Sequence, residues 1–159
     1  MHTWSLPEQV CLPRGLAAVR GSVFILYHPQ QPSVERAQRE CHAFRQLHGH
    51  FDSVSVLIWS GRPFPPPCAE VRSLYAEAFR SGPSVEAVAW VVDTVLGVGR
   101  SIVASISAQM FPLGAETRIF HEPFEAAGWL SARAGEGSGD VDAILDGLDA
   151  LDRATPELA

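Results

Sequence analysis

Lysine is absent. All twelve cationic residues that the lysine-plus-arginine count records are arginines, so no lysine exists to form a Schiff base or to neutralise the outer phosphates of a nucleotide loop. Basic runs are missing too, and the net charge is −6. Sequence-independent nucleic-acid binding draws its affinity from many cationic phosphate contacts, so that class is excluded. Cysteine is scarce: Cys11, Cys41 and Cys68 are odd in number and widely spaced, which fits reduced thiols in a cytoplasmic protein better than a disulfide framework. The opening segment has neither a cationic start nor an uninterrupted apolar stretch, so no signal peptide is expected. No long hydrophobic run occurs either. The most apolar region, 84–113, is broken by Glu86, Asp93 and Arg100, and each such charge at a bilayer centre costs about 2.5–3.5 kcal/mol. It reads as core, with no membrane insertion.

What is present is a chain of 159 residues, 47% hydrophobic, enough for one domain with one core. "GLAAVRGSVFILYHP" predicts two strands, about 16–20 and 23–28, turning at Gly21. Ser33 is placed to cap a helix whose apolar face is Val34, Ala37, Cys41, Phe44 and Leu47, with Glu35–Arg39 and Arg36–Glu40 as ion pairs on the wet side. "SVSVLIW", 53–59, predicts a strand buried on both faces. After a proline-rich loop, Pro67 fits the first turn of a helix burying Val71, Leu74, Tyr75, Ala78 and Phe79. A strand over 85–92, a helix from Asp93 or Thr94 to Met110, the strand "ETRIF" and a helix opening at Pro123 follow. The alternation predicts an α/β fold, a mostly parallel mixed central sheet with flanking helices.

This body is expected to occupy 1–133. Residues 134–139 have the composition of a flexible linker, 140–152 predict an acidic amphipathic helix, and 153–159 a tail. Val141, Leu145, Leu148 and Leu151 share one face of that helix, the form that helix-in-groove partners recognise, and folding back onto the sheet is the alternative.

Gly97-Val98-Gly99-Arg100-Ser101 has the outline of a phosphate loop without its substance. Thr94 stands where the first glycine belongs and Arg100 where the lysine belongs; Ile102 replaces the third glycine of a dinucleotide fingerprint. Helical periodicity runs through the stretch, with Val95, Gly99, Ile102, Ile106 and Met110 on one face, so no cofactor is expected. Gly97, Ser101, Ala104 or Ser105, and Ala108 form a row of small residues. It suits close packing on the domain's own sheet or an oligomer contact.

Other chemistry is sparse. Cys68 sits at a helix start, where the dipole favours thiolate, but no histidine lies near it in sequence. Cys41 and His48 are two helical turns apart, too far to share a zinc ion, and His48-Gly49-His50 reads as a solvated turn, so no metal is expected. His121 and Glu122 begin a helix, where the carboxylate serves as a cap. Glu70 and Glu77 lie two turns apart on a wet face, whereas Asp93 ends a buried strand at the carboxyl edge of the sheet, where open α/β sheets place ligands. Trp59, Ser60, Cys68 and Asp93 are therefore the candidate lining of a small-ligand pocket.

The run "VEAVAWVVDTVLGVGRSIVASISAQMF" leading through "ETRIFHEPFEAAGWL" resembles STAS-like domains, the anti-sigma-factor-antagonist-like group with a SpoIIAA-type fold. Ala89-Trp90-Val91-Val92, the helix over 94–110, Ile119-Phe120 and Ala126-Ala127-Gly128-Trp129-Leu130 carry the likeness, which spans about residues 14–133. It implies a non-catalytic regulatory module that binds a protein partner, often switched by phosphorylation of a serine. The corresponding stretch, Cys68-Ala69-Glu70-Val71, holds no hydroxyl. The expectation is thus a cytoplasmic, non-enzymatic interaction module, able to oligomerise, with a small-ligand carrier as the alternative.

Overall fold

A computed structural model describes residues 16–60, 67–92, 97–133 and 140–154. Strand β1 (Ala18–Arg20) turns at Gly21, whose φ of 57° lies in the left-handed region that glycine enters without a Cβ penalty, and pairs antiparallel with β2 (Val23–His28). From there each strand pairs parallel with its predecessor: β3 (Ser53–Ser60), β4 (Ser84–Val92) and β5 (Glu116–Phe120). The sheet is therefore mixed and mostly parallel, and its spatial order, β1-β2-β3-β4-β5, is simply the order of the chain.

Three crossover helices join the parallel strands: α1 (Val34–Arg45), α2 (Ala69–Ser81) and α3 (Gly97–Met110). Crossovers between parallel strands are right-handed almost without exception, and a sheet that always grows in one direction then places all of them on one face. Residues of even number in β2, β3 and β4 meet those helices, so Phe24, Leu26, Val56, Ile58, Val88 and Trp90 share a core with Phe44, Tyr75, Phe79 and Phe111. Ser33 caps α1 by accepting from the Arg36 N–H at 3.1 Å. Pro67 precedes Cys68, the capping residue of α2, and so lies before the helix instead of in its first turn. Residues 93–96, which include the expected caps Asp93 and Thr94, lie outside the described residues.

The opposite face is closed by α4 (Pro123–Arg133) and α5 (Val141–Ala154). Ile144, Leu148 and Leu151 are buried with Val23, Ile25, Leu57, Ala89 and Val91 of the sheet and Ala126, Ala127 and Leu130 of α4. Asp140 caps α5, accepting from the Ala143 N–H at 2.7 Å. Gly147 lets it lie flat: a Cβ there would come within 2.8 Å of Ile25 Cδ1. Arg20 reaches across to Asp146 at 3.1 Å. The apolar row read from the sequence as a docking face is thus turned inward. Leu148 and Leu151 are each 2% exposed, Val141 and Leu145 pack against the same cluster, and this row is not open to a partner. The helix belongs to the core because the sheet's second face has no other cover over β1 and β2 among the described residues.

Candidate functional site

Of the residues expected to line a ligand pocket at the carboxyl edge of the sheet, Trp59 and Ser60 do not share a face. Trp59 and Ser60 are neighbours in β3, so they point to opposite faces: Trp59 meets Tyr27 on the α5 side with ring centroids 4.7 Å apart, while Ser60 is buried on the helix α1–α2 side. Cys68 is exposed at the start of α2 and makes no capping bond. Asp93 lies outside the described residues. A ligand crevice at this edge forms where strand order reverses and adjacent crossovers leave on opposite faces. The parallel strands here run in chain order and never reverse, so that physical basis is missing.

What occupies that edge is a closed polar cluster that the sequence reading did not find. His28, the last residue of β2, is in register with Ser60 and turned toward α1. Its Nε2 lies 2.8 and 3.0 Å from the two carboxylate oxygens of Glu40. The Tyr75 hydroxyl donates to the same carboxylate from α2, and Arg36 Nε donates at 3.1 Å while its other arm donates to the Tyr27 carbonyl at 3.0 Å. Burial alone would raise the Glu40 pKa; the charge of His28 and the donors His28, Tyr75 and Arg36 outweigh it and hold the carboxyl below its ordinary value. Tyr75 is pushed up by burial and by the Glu40 charge. The Arg36–Glu40 pair exists, but Glu40 is 1% exposed, so it is not on the wet face that its spacing suggested. The missed signal was His28 continuing the core-facing alternation of Phe24 and Leu26, which requires a buried partner. Every functional atom of the carboxylate is engaged, so the cluster ties β2, α1 and α2 together.

Cys41 lies beside this cluster, and burial pushes its thiol up to about 12. Brief maleimide treatment of the native protein at neutral pH should leave Cys41 unmodified while labelling the exposed Cys68, as read by peptide mass mapping. Rapid labelling of Cys41 would contradict the packing described. His48 and His50 are exposed, and among the described residues no three side chains are grouped to hold a metal ion.

Gly97 and Gly99 are helical, as the periodicity required, and residues 93–96 before them lie outside the described residues. The missing lysine and third glycine still separate the segment from a phosphate loop.

The open site is at the other end of the sheet. Helix α3 rests on the body through its second half, where Ile106, Ser107 and Met110 are buried and Ser107 accepts from Trp90 Nε1 at 3.1 Å. Toward its start the described side chains are more open, although Val103 still packs against the core. Ile102, expected on the core face, is 41% exposed, and the small row is exposed at Ser101, Ala104, Ser105 and Ala108. The surroundings of Gly97, the first member of that row, lie outside the described residues. Between this row and β5 runs an open groove of about 540 Å³ lined by Arg100, Ala104, Ala108, Phe111, Leu113 and Thr117 among others. Leu113 at its rim is fully exposed, and Phe124 on the α4 side is 67% exposed. Among the described residues β5 pairs only with β4, leaving its outer edge unpaired. Beyond that edge, on the α4 face, Arg133 contacts Glu116 at 2.5 Å and Arg118 lies 3.8 Å from it, both guanidinium groups stacked near the Trp129 ring.

Among the described residues, no helix is long and apolar enough to cross a membrane. No protein-family model matches the chain, nor does any curated protein or solved structure.

Proposed function

We propose that the protein is a non-catalytic regulatory module of STAS-like type that works by binding a protein partner at the edge formed by α3 and β5. The observation that carries this reading is the exposure of the small row on α3. Ala104, Ser105 and Ala108 are exposed and not used to pack the helix on its own sheet, which leaves close approach by another chain as the role that small side chains serve. The groove beside them, the exposed Leu113 and the unpaired edge of β5 lie together on the same side of the molecule. Parallel strands in chain order also agree with the element order on which the STAS-like resemblance rests.

A small-ligand carrier draws no comparable support, because Trp59 and Ser60 face opposite sides and the sheet has no reversal in strand order. A photoreactive benzophenone side chain placed at Ala108 should crosslink to a polypeptide chain in native extract. The same group at Glu35, exposed on α1, should not. An Ala108 probe that yields no adduct overturns the reading.

A further inference from the structure

Resting on the reading of the α3–β5 edge as an interaction surface, we propose that its occupant is a second copy of this chain, the two β5 strands pairing antiparallel about a two-fold axis through Thr117 and continuing the sheet from five strands to ten.

The register follows from elimination. A two-fold axis perpendicular to the sheet must pass through a residue position, because opposed residues of an antiparallel pair share a face and side chains alternate between faces. β5 offers five positions for the axis, and one through Phe120 is ruled out because it sets the strand against residues 121–124, which lie past its end and enter α4 at Pro123. An axis through Arg118 sets Arg118 against itself. An axis through Glu116 sets Glu116 against itself, and one through Ile119 sets Glu116 against Glu122. Like charges directly opposed are destabilising. The axis through Thr117 alone sets Glu116 against Arg118 of the other copy, on both sides at once. That new pair joins the row of Arg133, Glu116 and Arg118 already present on the α4 face. On the other face Thr117 points to α3, its hydroxyl 3.4 Å from Ser107 Oγ, so the same axis brings the two small-residue rows of α3 toward each other across the groove. The strand edge thus selects its own sequence as a partner, and the rows of alanine and serine keep the helices from holding the strands apart.

The test uses the full chain with Cys11 and Cys68 replaced by serine. Native mass spectrometry and sedimentation equilibrium at micromolar concentration should give twice the chain mass. In that background Thr117→Cys places two thiols opposite each other, and antiparallel opposed residues have Cα atoms about 4.5–5.5 Å apart, within disulfide range. Mild oxidation should therefore convert most of the variant to a covalent dimer on a non-reducing gel. Arg118→Cys, offset from its counterpart by two residues along the strand, should stay monomeric on the same gel. A chain mass that remains that of one copy up to 100-fold higher concentration overturns the inference, as does crosslinking through Arg118→Cys instead of Thr117→Cys. If the mass is that of one copy and the Ala108 probe captures a different polypeptide, self-pairing is wrong and the interaction surface stands. If the mass is that of one copy and the Ala108 probe captures nothing, both fall.

Discussion

Replacing Glu40 with alanine should cost about 3–5 kcal/mol of folding stability, the range for breaking a buried charged pair by removing one member. The loss is large because one carboxylate serves three donors. Without it the Tyr75 hydroxyl and the His28 ring are left in the core facing no acceptor there, and Arg36 keeps only its bond to the Tyr27 carbonyl. A domain of ordinary stability holds about 5–15 kcal/mol, so the variant should be partly unfolded or close to it at 37 °C. Glu40→Gln keeps the shape and an acceptor and should lose less. The two proteins should also differ in their response to acid. The Glu40 carboxyl is held below its ordinary value of 4.5, so in falling pH the unfolded chain takes up the proton before the native one does. Its contribution is complete above that value and is lost as pH drops below it. Urea midpoints measured from pH 7 to pH 3 should show the wild-type advantage over Glu40→Gln shrinking in the acid limb. An alanine variant within 1 kcal/mol of wild type would show that the cluster is not the tie described.

A chain ending at Arg133 should fail to fold cooperatively. The sequence left open whether the acidic helix docks on a partner or folds back onto the sheet, and the structure shows the second. Removing α5 strips Ile144, Leu148 and Leu151 from the second core and exposes Val23 and Ile25 beneath them. Fully burying an aliphatic side chain contributes about 1.5–3 kcal/mol, so three of them approach the entire margin of a typical domain. Circular dichroism of the truncated chain under urea should show a broad, non-cooperative transition, and its amide NMR spectrum should collapse to narrow dispersion. A sharp transition with native dispersion would mean that α5 is an appendage after all. A milder version, Leu148→Ala, should cost about 2–5 kcal/mol and keep the fold.

Local structure was written plainly in this chain. The continuous apolar run of β2, the Ser33 cap and the glycine at the β1–β2 turn each have a local physical cause, and a local cause is visible in a local window. What depends on distant residues was not. The Arg36–Glu40 spacing is equally good for a solvated pair and for one drawn inward by His28 and Tyr75, and only the packing of three elements decides between them. Strand order, which removes the ligand crevice and leaves β5 at an edge, has no signature in any single segment. The apolar row of α5 was seen correctly as a row; whether it met this sheet or another protein was a question of what else covered β1 and β2. The small row of α3 was legible as well, and its outward position was not, because which face of α3 meets the body is decided by Val103, Ile106, Ser107 and Met110 finding partners on distant elements.

The contact between α5 and the first two strands also sets a schedule for biosynthesis. Arg20 and Asp146 are 126 positions apart, and the helix that seals β1 and β2 is translated after every other described element. Domains fold as units, and contacts so distant in sequence form late. Until α5 has cleared the exit tunnel, Val23 and Ile25 therefore lack the cover that completes the second core.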